Sequence, residues 1–107
     1  VMSILRIVKM EFRIDQLDDF DGLFVSNEAA IAGMPGCRGV KLLKGADNPS
    51  IRTTLSWWDS EQDLERYRQS EVFGNVWPKT KSMFAASPIA WSVEWPGTWP
   101  AFSEKDL

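Results

Sequence analysis

Trp57-Trp58-Asp59-Ser60-Glu61 is the stretch whose side chains have most to offer chemistry, because it sits at a junction. Ile51 to Trp58 alternates apolar with polar or small residues, the pattern of a half-buried strand. Asp59 and Ser60 then offer N-cap oxygens, with Gln62 or Asp63 placed to reach back. Two tryptophans therefore stand where a strand turns directly into a helix. A large aromatic at such a corner either packs in the core, with its indole N–H satisfied, or lines the mouth of a pocket. Lys9, Glu11 and Arg52 extend from strands and are the charged groups placed to meet a ligand. As solvated edge charges or dimer ion pairs they would contribute only ~0–1 kcal/mol each. Cys37 reads as a small buried hydrophobe, since no flanking residue activates its thiol.

The missing residue types exclude more than the present ones specify. The chain has no histidine, so it lacks the default general base at neutral pH and the commonest metal ligand. One cysteine without histidine leaves no zinc site. A Ser-His-Asp or Cys-His nucleophile is ruled out for the same reason. The seven glycines are scattered and form no phosphate loop. A net charge of −3 and a pI near 4.9 argue against a nucleic-acid partner. No apolar run approaches the ~20 residues that span a bilayer, so no membrane partner is expected. The first residues run straight into a strand pattern, with no secretory signal, and a single cysteine forms no intrachain disulfide. A cytoplasmic protein is the expectation.

The elements that position these residues follow from periodicity. At 107 residues the chain is one domain, and its six tryptophans and six phenylalanines supply an unusually aromatic core. Ile4 to Phe12 reads as a strand, with Ile4, Val8, Met10 and Phe12 on one parity and Leu5 and Ile7 on the other. Asp15 is placed to cap a helix, with Asp18 and Asp19 near its positive end. Leu17, Phe20, Phe24 and Ile31 form its apolar stripe. Met34-Pro35-Gly36 breaks the chain before a strand over Cys37 to Lys44. Gly45 to Ser50 is a turn leading to the strand Ile51 to Trp58. Leu64 and Tyr67 mark a helix. Ser70 caps a further one carrying Phe73, Val76, Trp77, Met83 and Phe84, which Pro78 should kink or restart. Ile89 to Trp95 is the last strand, with Ile89, Trp91, Val93 and Trp95 on one face. Residues 1–95 form the domain, and 96–107 form a C-terminal tail that either wraps onto a partner or ends loosely ordered.

The order β-α-β-β-α-β specifies an α+β, ferredoxin-like antiparallel sheet with helices on one face. The other face is then bare, with Leu5, Ile7, Leu43, Thr54, Ser56, Trp58, Ala90 and Ser92 as its expected occupants. Such a face requires a cover. A second copy of the chain is the economical one, giving a symmetric homodimer.

Pro35-Gly36-Cys37, Trp58-Asp59-Ser60-Glu61 and Ser70-Glu71-Val72-Phe73, in this order across about residues 4 to 95, resemble the antibiotic-biosynthesis monooxygenase family of dimeric α+β barrels. The resemblance implies a pocket in each subunit between sheet and helices. It also implies oxygenation of a small phenolic, quinol-like or polycyclic aromatic molecule by dioxygen, with no metal, flavin or other cofactor. A non-catalytic dimeric module binding a small apolar or aromatic molecule is the alternative. Trp58 is carried over as the motif tryptophan lining the pocket. Tyr67 stands where many members carry a histidine, and is the candidate donor to a substrate oxygen or to reduced dioxygen, with an amphipathic-helix residue whose hydroxyl lies at the surface as the competing role. Trp58 and Tyr67 are thus the candidate catalytic pair. Phe24, Phe73, Trp77 and Ile7 are the candidate substrate-binding wall, with plain core packing as the competing role. Trp77 stands where the haem-degrading branch takes its axial histidine, which argues against haem degradation of that kind.

Overall fold

The computed structural model describes residues 3–95. Four strands form one antiparallel sheet: β1 (Ser3–Glu11), β2 (Cys37–Lys44), β3 (Ile51–Trp58) and β4 (Ile89–Trp95). Their order across the sheet is β2-β3-β1-β4. Three helices cover one face: α1 (Leu17–Ala32), α2 (Glu61–Arg68) and α3 (Glu71–Lys81). This is the ferredoxin-like α+β arrangement. Among the described residues no helix is long and apolar enough to cross a membrane. The expected tail at 96–107 lies outside the described residues.

The helix starts differ in how they are built. Ser60 caps α2 by accepting from the Asp63 N–H at 3.2 Å, while its own hydroxyl donates to Asp63 Oδ2 at 2.9 Å. Asp59 has another task, a two-pronged ion pair with Arg38 at 2.7 and 3.2 Å. Ser70 caps α3 through the Phe73 N–H at 3.2 Å and donates to the Tyr67 carbonyl at 2.6 Å. Asp15 does not cap α1. It falls within a 3-10 turn, Ile14–Gln16, and α1 begins after Gln16 with no side-chain cap. Pro78 does not restart α3, which is continuous through it. Met83 and Phe84 lie beyond the helix end, where Phe84 bridges to Phe12 instead.

Gly36 has φ +78°, and a Cβ there would run into the Asp63 side chain. Its carbonyl accepts from the Asp59 N–H at 2.8 Å. The Pro35-Gly36 turn is therefore locked against the start of α2, which explains why glycine is needed at this point.

The sheet faces correct the expectation. Ile4 pairs with Trp58, Arg6 with Ser56 and Ser92, and Val8 with Thr54 and Ala90. Residues directly opposite one another share a face, so Thr54, Ser56, Trp58, Ala90 and Ser92 lie under the helices, not on the bare side. The far face holds Leu5, Ile7, Leu43, Leu55, Trp57, Ile89, Trp91 and Val93. A shift of one residue in strand phase moves every side chain to the opposite face. The regular Ile51, Thr53, Leu55, Trp57 row resembles a core row, which is why β3 reads in the wrong phase from sequence. The far face is consequently more apolar than expected. Ile89, Trp91 and Val93 are 59%, 41% and 40% exposed.

Under the helices the core divides in two. Met10, Phe12, Phe20 and Phe24 form one cluster, with the Phe12 and Phe20 rings stacked at 4.2 Å. Ile4, Trp58 and Leu64 form the other, against which Met34, Cys37 and Tyr67 pack. Arg52 enters this face as a buried cation. Its guanidinium pairs with Asp21 on α1 at 2.9 and 3.1 Å and donates to the Pro49 and Ile51 carbonyls at 2.8 and 3.1 Å. It is thus a tie between sheet and helix rather than a ligand-facing group. Removing one partner of such a pair leaves a buried charge, so Asp21→Ala is expected to destabilise the fold by about 3 kcal/mol in urea melts. A loss below about 1 kcal/mol would mean that water replaces the carboxylate without penalty.

Candidate active site

A cavity of about 160 Å³ lies between the sheet and the helices. Val8, Met10, Thr54 and Ser56 form its floor. Phe20, Phe24 and Ile31 of α1 form one side, and Leu64, Tyr67, Phe73, Val76 and Trp77 form the other. An apolar engineered cavity of about 150 Å³ admits benzene, so this space accommodates a single aromatic ring without rearrangement. Four of the six candidates, Tyr67, Phe24, Phe73 and Trp77, line it together.

The aromatic wall is a continuous chain of rings. Trp58 and Tyr67 stack at 5.1 Å, Tyr67 meets Phe73 edge-on at 5.3 Å, and Phe73 stacks on Trp77 at 5.7 Å. Ser70 joins this wall at its bend, because its hydroxyl bonds both to Tyr67 and to Phe73 backbone atoms. The two short helices thereby place Tyr67 and Phe73 at a fixed angle.

Two candidates lie elsewhere. Trp58 is wholly buried, outside the cavity lining, and its indole N–H donates to Ser56 Oγ at 2.9 Å. The donor that the resemblance assigns to substrate is already engaged. Trp58 instead forms the plate behind Tyr67. Ile7 is on the far face, opposite Leu55 and Trp91, because strand alternation turns it away from its cavity-lining neighbours Arg6 and Val8.

Tyr67 brings a phenol hydroxyl to this site, beside the smaller hydroxyls of Thr54, Ser56 and Thr80. Burial pushes its pKa up to about 12, with a smaller contribution from Cys37. It is therefore a proton-bearing donor throughout the ordinary pH range and not a base. Its hydroxyl has no hydrogen-bond partner among the described residues, so it is free to donate to a ligand. Burial also pushes the Cys37 thiol up, which makes it a poor nucleophile.

Arg6 and Arg68 also line the cavity, and neither was expected there. The signal for Arg6 is present in the sequence. It shares parity with Ile4, Val8, Met10 and Phe12, so a charge interrupts an otherwise apolar row. Arg68 follows Tyr67 on α2 and carries no comparable mark. The Arg6 guanidinium donates to Ser92 Oγ at 3.2 Å. Burial lowers its pKa, as does nearby Arg68, against an opposing effect of Glu65.

Comparison with known proteins agrees with this architecture. No curated protein matches the chain in sequence. A conserved protein from Methanosarcina mazei Go1 is 20% identical, with a TM-score of 0.83 over 86% of this chain and 91% of that one. Rv0793 from Mycobacterium tuberculosis is 16% identical, with a TM-score of 0.79 over 95% and 98% of the two chains. SnoaB, a cofactor-independent oxygenase from Streptomyces nogalater solved as a mutant, is 14% identical, with a TM-score of 0.79 over 94% and 100%. At these identities the likeness is one of fold. The sequence itself is more specific, because residues 3–77, from the first strand through the ring wall to Trp77, match the antibiotic biosynthesis monooxygenase profile. The chain belongs to the antibiotic biosynthesis monooxygenase family.

Proposed function

We propose that the protein is a homodimeric, cytoplasmic monooxygenase that uses dioxygen without metal or flavin. Its substrate on this reading is a small phenolic or quinol-like aromatic. The observation that carries the reading is the ring-lined cavity with the unengaged phenol hydroxyl of Tyr67 inside it. Family membership supports the same class of reaction.

The chemistry asks little of the protein. A phenol oxygenated at the ring carbon opposite its hydroxyl becomes a quinone. One oxygen atom joins the ring and the other leaves as water with two hydrogens. All four electrons come from the substrate, so no external reductant is required. The cavity excludes water and holds the ring between Phe24 and the Phe73–Trp77 stack. Tyr67 donates to the negative oxygen that develops during transfer. Dioxygen uptake over a panel of phenols with an open para position tests the reading. Uptake above the rate without protein is expected for at least one single-ring member. Binding without uptake would transfer the cavity to a non-catalytic binding module.

The dimer is proposed from the far sheet face. Leu43, Ile89, Trp91 and Val93 are exposed there together on two strands. A stable pairing buries more than ~1,200 Å², and two such sheets face to face supply apolar area of that kind. Light scattering at micromolar concentration is expected to give twice the chain mass. Trp91→Glu, which places a charge within the apolar face on the edge strand β4, is expected to give the single mass. A monomeric wild type would remove the dimer from the account.

A further inference from the structure

Arg6 is a cation built into a hydrophobic floor. The row it belongs to is Ile4, Val8, Met10 and Phe12. Its neutral neighbour Ser92 takes one of its five N–H donors at 3.2 Å. Among the described residues, no carboxylate lies within ion-pair distance of it. The second charged lining residue is Arg68, whose own partner is Glu65 at 3.3 Å. The cavity lining holds two guanidinium groups and no acid, in a chain whose net charge is −3. A partly buried cation with no ion-pair partner keeps N–H donors that an anion entering the cavity can take.

We propose that the cavity takes its aromatic ligand as an anion, with a phenolate or carboxylate oxygen on the Arg6 guanidinium and the ring against Phe24, Phe73 and Trp77. This rests on reading the cavity as the substrate site. It also answers how a chain without histidine ionises a phenol. No side chain need accept the proton. The phenol O–H breaks as the ring enters, its electron pair stays on oxygen beside Arg6, and the proton passes to solvent water at the cavity mouth before the bound ring closes it off. Arg6 shifts that equilibrium by stabilising the anion. Arg68 stands with Arg6 at the lining and adds to the positive potential, while Glu65 reduces it.

The test uses para-nitrophenol, whose coloured anion reports ionisation directly and without turnover. Titrating pH in the presence of excess protein gives the acidity of the bound probe. The bound phenol is expected to ionise at least one pH unit below the free phenol, which means the anion binds about tenfold tighter than the neutral form. Arg6→Gln should abolish this preference and Arg6→Lys should retain part of it. Thermal melts of both variants establish that they are folded, and Arg6→Lys keeps the test decisive if Arg6→Gln is not. Competition by benzoate marks a carboxylate site, and its failure to compete marks a phenolate site. Unchanged or weaker acidity on binding, an equal preference in Arg6→Gln, or no binding of either form overturns the proposal. Anion binding that persists in a protein with no oxygen uptake would overturn only the monooxygenase reading.

Discussion

Tyr67→Phe is expected to lower turnover by about 10²–10³-fold while leaving the urea midpoint nearly unchanged. The two effects separate because of where the hydroxyl lies. It lines the cavity and has no hydrogen-bond partner among the described residues, so its loss breaks no structural bond. The ring keeps its stack on Trp58 and its edge contact with Phe73. A single donor aimed at developing negative charge in a water-poor site is typically worth ~3–4 kcal/mol. A structural hydrogen bond contributes about 0.5–1.5 kcal/mol, and to folding. Because the Tyr67 pKa is pushed up to about 12, the hydroxyl stays protonated far above neutrality. Turnover should therefore show no limb from Tyr67 between neutrality and mildly alkaline pH. A variant with full turnover and a clear loss of stability would identify Tyr67 as a packing residue.

Trp58→Ala is expected to cost about 3–5 kcal/mol of stability, the range for removing a large buried aromatic. Trp58 is fully buried, contacts Ile4 and Leu64, and backs the Tyr67 ring. Its removal deprives Tyr67 of its plate, so ligand affinity should fall as well. Trp58→Phe separates packing from hydrogen bonding. It keeps an aromatic plate and loses only the bond to Ser56 and some contact area, so about 1–2 kcal/mol is expected, with turnover held within a few-fold. Urea melts beside ligand titration check both variants. Loss of turnover in Trp58→Phe without loss of stability would mean that the indole reaches the ligand after all.

The order and extent of the elements could be read from the chain because each carries its own local signal. The serine caps at Ser60 and Ser70, the Pro35-Gly36 break and the α1 stripe through Phe20, Phe24 and Ile31 depend on neighbours in sequence. Sheet phase does not. Both rows of β3 contain apolar residues, Leu55 and Trp57 on one side and Trp58 on the other, so only pairing with β1 decides which row lies under the helices. That ambiguity, repeated in β4 with Ala90 and Ser92, put Thr54, Ser56 and Trp58 on the bare face. Ile7 was read onto its true face, which is the reason it cannot also line the cavity. The cavity wall was legible in Tyr67, Phe24, Phe73 and Trp77, whose helical spacing and motif positions agree. Arg6 was legible in principle, as a charge in an apolar row. Arg68 was not, since a final-turn arginine on a polar helix looks like an ordinary solvated residue until the fold brings it beside Arg6.

The account turns on oxygen transfer within the cavity, and isotopic dioxygen tests that most directly. Metal-free protein, a phenol with an open para position that supports uptake, and heavy-oxygen dioxygen should yield a quinone carrying one labelled oxygen, with the second label in water. Product formed without label, or uptake equal in wild type and Tyr67→Phe, would contradict it.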